Sequence, residues 1–157
     1  MANITIIGGS QAAVGATSEF GTVLEHPLGT RARDSAGNEY IYLQGVASVV
    51  VSDWVSFDEA HLTTRLVANG LGRVGVAMAA IVASNYGWFQ IYGKATGTCE
   101  TGFADNGAVY IHATAGSVDD TDVAGDAVLG AIGRSAISGT TATFELNYPM
   151  VMNISLD

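Results

Sequence analysis

The sequence predicts an all-β fold, namely a single-domain β-sandwich or barrel of short antiparallel strands with an extended N-terminal arm. Three observations support this prediction. Apolar and polar residues alternate with a period of two, most regularly over residues 141–148, as in strands that bury one face. Turn residues separate such segments at short intervals, which is typical of sandwiches and barrels. The length of 157 residues suits one domain with one core.

The predicted strands share a high content of β-branched and aromatic residues. In chain order they are residues 38–43, 46–51, 54–57, 63–68, 74–82, 88–92, 108–114, 128–132 and 141–148. Residues 58–66 and 74–82 are the two stretches compatible with a helix, but Thr63, Thr64 and Val67 favour extended structure. A turn is expected at residues 36–38, and Asn69-Gly70 is a strong hairpin signal. Pro149 is expected to end the strand before it, and residues 151–154 to form a last edge strand.

We distinguish two segments along the chain, a leader at residues 1–27 and a β domain at residues 28–157. In the leader, Ile4, Ile6 and Ile7 lie close together, and Phe20 follows after a stretch rich in Gly, Ala and Ser. Large apolar side chains are costly to leave in water. We therefore predict that the leader is an arm that contacts another chain through these four residues. A strand of the protein's own barrel is the alternative.

The composition excludes several classes of function. Only 13% of the residues are charged, and 15 acidic residues against 6 basic ones give a net charge of −9. Binding to nucleic acid or to an anionic membrane relies on Lys and Arg, so we predict neither. A low charge on a chain that is 48% hydrophobic favours an assembly of several copies. With one cysteine, no signal sequence and no long apolar run, we expect a soluble protein made in a cytoplasm.

Two nucleotide-binding patterns occur and neither fits its context. Residues 58–61 spell the Asp-Glu-Ala-His box of a helicase class, but no phosphate loop accompanies it. Residues 70–75 match the dinucleotide fingerprint GxGxxG, with Glu100 at roughly the expected distance. That motif requires a helix that begins at Gly72, whereas residues 74–82 have no polar face. We interpret both matches as chance, and the second as a hairpin turn.

The remaining candidate groups for chemistry are scattered. Four aspartates lie within residues 119–126, but their spacing is not that of a calcium loop, so a solvated acidic loop is preferred over ion binding. The three histidines are isolated from one another and lack metal-ligand spacing, and Cys99 has no partner nearby in the sequence. We predict no catalytic residues, no metal ion and no cofactor, and therefore no enzyme.

Two segments resemble the head-decoration, or capsid cement, proteins of tailed bacteriophages. The first runs from Leu28-Gly29-Thr30 to residues 37–42 (GNEYIY), which is similar to the hairpin with which these proteins often open. The second combines residues 73–81 (RVGVAMAAI) with residues 85–95 (NYGWFQIYGKA), where the small-residue run, the Tyr-Gly-Trp unit and the Gly-Lys pair occur together as in that family. The resemblance covers residues 28–150.

The resemblance implies a structural virion protein on the outside of an icosahedral head, often a homotrimer, that binds the major capsid protein and reinforces the shell. Tyr86, Trp88 and Tyr92 are then expected in the oligomer contact or in the core, because aromatic rings give a large contact area at small entropic cost. A phage tail or fibre component that binds a host receptor is one alternative. A small β-barrel enzyme or carbohydrate-binding domain, with Trp54 near Asp53 and Asp58 as a candidate saccharide site, is another.

Overall fold

The computed structural model describes residues 3–6 and 13–153. Within these residues it contains thirteen strands and no helix, which confirms the predicted all-β class. The strands are β1 (Asn3–Ile6), β2 (Ala13–Ala16), β3 (Phe20–Gly21), β4 (Arg31–Asp34), β5 (Glu39–Gln44), β6 (Trp54–Phe57), β7 (Thr63–Arg65), β8 (Gly72–Ala77), β9 (Tyr86–Thr98), β10 (Ala108–Ile111), β11 (Val118–Asp119), β12 (Ala127–Gly133) and β13 (Thr141–Val151). All of them belong to one sheet in which neighbouring strands are antiparallel.

The sheet folds over on itself around three central strands. Each of β8, β9 and β13 pairs with the other two. From β13 the order continues through β12 and β10 to β11, and from β9 it continues through β5, β4 and β1 to β2. Trp54 of β6 packs edge-on against Phe144 of β13, with 4.9 Å between ring centroids, although these strands are not paired. Two parts of the sheet therefore face each other as in a single-domain sandwich.

Three clusters of buried apolar residues form the core. The largest surrounds Trp54, Phe103 and Phe144 between the two halves of the sheet. A second is built around Phe89 with residues of β5 and β6. The third contains Ile4, Ala32, Tyr40, Tyr42 and Trp88, and it joins the first strand of the chain to β4, β5 and β9. The core therefore extends into the segment that precedes residue 28.

The turn between β4 and β5 is organised by Asp34, a buried carboxylate. It accepts hydrogen bonds from the amides of Ala36 and Asn38, from the Asn38 side chain and from the Tyr40 hydroxyl at 2.8 Å. Burial raises the pKa of Asp34, but these hydrogen bonds outweigh it and hold the pKa below its usual value. Gly37 supplies the positive φ of 85° that the turn requires. The predicted turn at residues 36–38 is confirmed.

Residues 46–51 do not form the predicted strand. They lie in a stretch of turns between β5 and β6, where Ser48 and Ser52 adopt φ values of 67° and 71°. The Asp53 carboxylate accepts hydrogen bonds from the Val50 amide at 3.1 Å and from Arg65 Nε at 2.9 Å. These contacts, formed around a partly buried ion pair, override the β propensity of the valines.

Strand β9 is longer than the predicted segment 88–92 because it pairs with four strands along its length, namely β3, β5, β8 and β13. Residues 86–92 pair with β5, and residues 92–98 pair with β13. Where the partner changes, Gly93 has a φ of 89°. The buried Gln90 side chain donates to the carbonyl oxygens of Tyr92 and Lys94 at 3.1 and 3.0 Å. These bonds fix the two carbonyl groups on either side of Gly93.

Strand β13 keeps its predicted alternation over Ala142, Phe144 and Leu146, which are all buried. The prediction is wrong for Tyr148, which was placed on the same face but is 45% exposed, because a φ of 48° reverses its direction. Between Leu146 and Met150 the strand bulges against β12. Gly130 faces the bulge, where a Cβ atom would lie only 2.6 Å from the Asn147 carbonyl oxygen.

Pro149 does not end β13, contrary to the prediction, and the strand continues to Val151. The proline lies within the bulge, where a ladder hydrogen bond from its nitrogen is not needed. Val151 therefore belongs to β13 rather than to a separate edge strand, and the predicted end of that edge strand at residue 154 lies outside the described residues. The Asn69-Gly70 turn is present with a φ of 60° at Asn69, but β7 and β8 both pair with β6 instead of forming a hairpin.

Candidate functional site

The structure divides the four residues predicted to form a partner-binding arm. Ile4 is completely buried, in a strand that pairs with β4, and it packs in the cluster of Tyr40 and Trp88. Ile4 therefore belongs to the chain's own core, which agrees with the alternative prediction of a strand in the protein's own barrel. A side chain buried in that cluster cannot contact a partner. The Ile6 side chain and the whole of Ile7 lie outside the described residues. Phe20 is in the short strand β3, which pairs with β9, and is 49% exposed.

The three aromatic residues of the resembling segment have different environments. Trp88 is buried in the third core cluster, and Tyr86 is partly buried against it. Tyr92 is 38% exposed, and its ring packs against that of Tyr148 at 5.2 Å between centroids. Trp88 is therefore a core residue, whereas Tyr92 contributes to the surface.

A small cavity of about 260 Å³ lies where residues 18–26 cross the start of β9. Four rings line it, those of Phe20, His26, Tyr42 and Trp88. The His26 ring is 5.2 Å from that of Tyr42 and 5.5 Å from that of Trp88, and the last two rings are 5.0 Å apart. Long-range folding brings these residues together, because β3 and β5 both pair with β9.

Two carboxylates complete the lining of this aromatic cavity, those of Glu19 and Glu25. Neither takes part in an ion pair between described residues. Burial raises the pKa of the Tyr42 hydroxyl, a backbone hydrogen bond from Glu25 opposes this, and the negative charge of Glu25 adds to the rise. Tyr42 is thus a neutral hydroxyl, and the cavity is aromatic and negatively charged.

Exposed apolar residues, here called the apolar rim, lie in the segment that contributes Glu19, Phe20 and Glu25 to the cavity lining. Phe20, Val23 and Leu24 are exposed by 49%, 68% and 50%. They lie in the same short segment as Glu19 and Glu25. Three large apolar side chains this close together in the sequence form a surface that favours contact with another molecule.

A second concave surface, the polar cleft, has a volume of about 770 Å³. Its floor is the outer side of the β9–β13 ladder, where Tyr92 is opposite Asn147 and Lys94 is opposite Glu145. The β4–β5 turn and the residues that follow β12 form its walls. Arg134 on the second wall donates to Glu145 at 2.8 Å and to the Asn106 side chain at 3.0 Å. The polar cleft therefore offers one exposed ring beside hydrogen-bonding groups.

Tyr92 is supported from behind by a network around Tyr148. The Tyr148 hydroxyl donates to Glu39 at 2.7 Å, and Arg33 pairs with the same carboxylate at 2.6 Å. The hydrogen bond to Glu39 raises the pKa of Tyr148. Burial raises the pKa of Glu39, but the hydrogen bonds from Tyr148 and Arg33 outweigh it and lower the pKa. Arg31 lies over the Tyr148 ring at 5.5 Å. The two tyrosine rings are thus held in place before any ligand binds.

The groups considered for chemistry lie in separate places. Cys99 is buried, and burial, with a smaller contribution from Glu100, raises the pKa of its thiol to about 11, so it is not a thiolate at neutral pH. Glu100 contacts His112 Nδ1 at 3.2 Å and accepts a hydrogen bond from Ser117 at 3.3 Å. Ser117 and His112 therefore both contact this carboxylate, and they are joined to each other by a backbone hydrogen bond from the His112 amide to the Ser117 carbonyl oxygen at 3.2 Å.

Three of the four aspartates within residues 119–126 have structural partners. Asp119 accepts the amide of Asp120, Asp120 accepts that of Ala104 at 2.9 Å, and Asp126 accepts that of Asn69 at 2.7 Å. Within residues 3–6 and 13–153, no group of three or more acidic, histidine or cysteine side chains could hold a metal ion. No helix in this part of the chain is long and apolar enough to span a membrane.

The nucleotide-like patterns fall on structures that cannot perform those roles. The GxGxxG match ends in β8, an extended strand, where the motif requires a helix N-terminus. Residues 58–61 form a turn in which the Asp58 side chain accepts the Leu62 amide at 2.9 Å. The prediction of a candidate saccharide site at Trp54 is wrong, because Trp54 is fully buried and donates its indole N–H to the Thr98 carbonyl oxygen.

Sequence reasoning singled out Phe20 and Trp88 separately but missed Glu19, Glu25, His26 and Tyr42 as their neighbours. His26 was interpreted as an isolated histidine, since Tyr42 and Trp88 are distant in the sequence. The sequence does contain a local signal for this cavity, because two glutamates and a histidine flank the exposed apolar segment at residues 20–24.

The fold and these two surfaces define the class of the protein as a single-domain, all-β protein with an aromatic, acidic cavity and a polar cleft along one long strand. Comparison with protein-family models, curated proteins and solved structures finds no match to this chain. Its function is therefore inferred from its own residues and from the resemblance noted in the sequence.

Proposed function

We propose that this chain is a structural protein of a bacteriophage virion that decorates the outside of an icosahedral head and stabilises the capsid shell. In this role it binds the major capsid protein as a homo-oligomer, and the resemblance to decoration proteins favours a trimer. It acts by binding, without catalysis and without a cofactor.

One observation is the main support for this proposal. The two segments that resemble decoration proteins, residues 28–42 and 73–95, contribute four strands that are adjacent in the sheet in the order β4, β5, β9 and β8. A chance similarity of composition has no reason to fall on neighbouring strands. The exposed apolar rim at Phe20, Val23 and Leu24 adds a surface suited to a permanent partner.

The test is addition of the purified full chain to undecorated heads of tailed phages, followed by electron cryomicroscopy. We expect extra density at symmetric positions on the head exterior and a higher temperature of head disruption. Isolated tails serve as the control, since binding to tails but not heads would favour the tail or fibre alternative. Absence of binding to either particle, at concentrations where the chain is folded, would contradict the proposal.

The polar cleft favours a second candidate function, binding of carbohydrate. An exposed tyrosine beside amide, ammonium and carboxylate groups is a common combination in saccharide sites, and Tyr92 is held in place by Tyr148. A glycan array with the wild-type chain tests this candidate directly. Binding that is lost in Tyr92→Ala and kept in Tyr86→Ala would favour it, whereas no bound glycan would exclude it.

A further inference from the structure

We infer that the aromatic cavity receives a positively charged side chain, a lysine or an arginine, from the protein that this chain binds. The identity of that protein as a capsid protein rests on the proposed function, but the chemistry of the cavity does not depend on it.

The first argument concerns the rings. Cations bind over aromatic faces, and a set of several rings around a small cavity is the arrangement that recognises them. Trp88 and Tyr42, which are 1% and 4% exposed, form the base of this cavity, with the partly buried His26 packed against both and the half-exposed Phe20 at the edge. Trp88 and Tyr42 belong to the core, so the base is rigid before binding.

The second argument concerns charge. Glu19 and Glu25 line the cavity without a described basic partner, whereas Arg33, Arg65 and Arg134 elsewhere in the chain each pair with a carboxylate. All six basic residues of the chain are described, and none of them lines the cavity. Two unpaired carboxylates beside aromatic rings select for a cation and against an anion or a neutral group.

The third argument concerns size and surroundings. The volume of about 260 Å³ suits the end of one long side chain rather than a peptide segment, since liquid water takes roughly 30 Å³ per molecule. The exposed apolar rim of Phe20, Val23 and Leu24 lies in the same segment. A partner surface with a basic side chain surrounded by apolar residues would contact both. The net charge of −9 would also steer a basic surface towards this chain.

The experiment uses the full chain and two small probes with acetylated α-amino groups, N-acetylarginine amide (below, arginine amide) and its uncharged isostere N-acetylcitrulline amide (below, citrulline amide). Each is titrated against the ¹⁵N-labelled protein while the two indole N–H signals are followed. We expect arginine amide to shift the Trp88 signal and not that of Trp54, which lies in a different cluster. Citrulline amide should shift neither. A shift of equal size with both probes, or no shift at Trp88, would overturn the inference.

The matched variants are the double substitution Glu19→Gln with Glu25→Gln, and the control Asp122→Asn, which removes an exposed charge on a distant loop. Both should fold, because none of the three side chains is buried. The double variant should bind arginine amide at least about tenfold more weakly, equivalent to about 1.4 kcal/mol, and the control should match the wild type. Equal binding by all three proteins would show that the cavity does not select charge.

Head binding separates this inference from the proposed function. If the wild type binds heads and the double variant binds them equally well, the cavity is not the partner site while the proposed function stands. If the wild type does not bind heads but selects arginine amide over citrulline amide, the proposed function fails and the cavity remains a site for a cationic side chain.

Discussion

The two halves of strand β9 border two surfaces that differ in the sign and the pairing of their charged side chains. At its start, beside Trp88, the aromatic cavity holds Glu19 and Glu25 without a described basic partner. Beyond Tyr92, the polar cleft holds both signs of charge, since Arg134 is paired with Glu145 and Lys94 lies opposite the same glutamate in the ladder. Charges paired within a chain contribute to its local structure, whereas unpaired charges beside rings are available to a ligand. The comparison therefore places the stronger potential for a charged partner at the cavity.

The largest expected effect distinguishes the two halves of β9 by stability. Trp88→Ala removes a fully buried ring from the base of the cavity and should lower the free energy of unfolding by about 3–5 kcal/mol. Tyr92→Ala, at a ring that is 38% exposed, should cost less than about 1.5 kcal/mol. Urea denaturation of both variants measures the difference. Equal losses of unfolding free energy in the two variants would mean that Trp88 and Tyr92 contribute equally to the core, contrary to this expectation.

A smaller effect is expected at the β4–β5 turn, which forms one wall of the polar cleft. Asp34→Asn weakens the hydrogen bonds to the buried carboxylate and should cost about 1–3 kcal/mol at pH 7. The folded-state pKa of Asp34 is depressed, so its stabilisation is complete above its ordinary pKa of 3.8 and is lost as the pH falls through the lower folded-state value.

Urea unfolding curves of the wild type and of Asp34→Asn between pH 2 and pH 7 test the direction of this pH dependence. The difference between wild type and Asp34→Asn should be constant above about pH 5 and should shrink below the ordinary carboxyl pKa. The pKa of Glu39 is also lowered, so part of the acid sensitivity of the wild type should persist in the variant. A difference that grows as the pH falls would contradict the assignment.

The smallest effect is expected from the exposed ion pair of the polar cleft. The side chains of Arg134 and Glu145 are 44% and 59% exposed, and such pairs contribute about 0–1 kcal/mol. A double-mutant cycle with Arg134→Gln and Glu145→Gln should give a coupling energy in this range that decreases in high salt. A coupling of several kcal/mol would contradict this expectation and would show that the pair contributes strongly to the stability of the fold.

Much of the fold could be predicted from the sequence. The strand at residues 54–57 has the predicted bounds, and the alternation of Ala142, Phe144 and Leu146 identified their core-facing side. Such local patterns report the burial of one face directly, since successive residues in a strand point to opposite sides. The turn residues 36–38 were equally recognisable because glycine there permits a positive φ.

Less of the candidate site than of the fold could be predicted from the sequence. Phe20 was recognised as a costly exposed residue, and the structure leaves it half exposed. Its association with Tyr42 and Trp88 depends on β3 and β5 both pairing with the start of β9. No local pattern encodes such a pairing, because the register of distant strands is decided by the packing of the whole sheet.

The sequence by itself determined the all-β class, most of the strand positions and the surplus of acidic over basic residues, since these follow from local periodicity and composition. Only the tertiary structure decided that the valines of residues 46–51 form turns, that Ile4 is part of the core and that Tyr148 points outward. In each case a non-local contact, such as the Asp53–Arg65 ion pair or the bulge against Gly130, outweighs the local preference. The pairing of each charge was decided in the same way, because an ion pair forms between residues that the fold brings together.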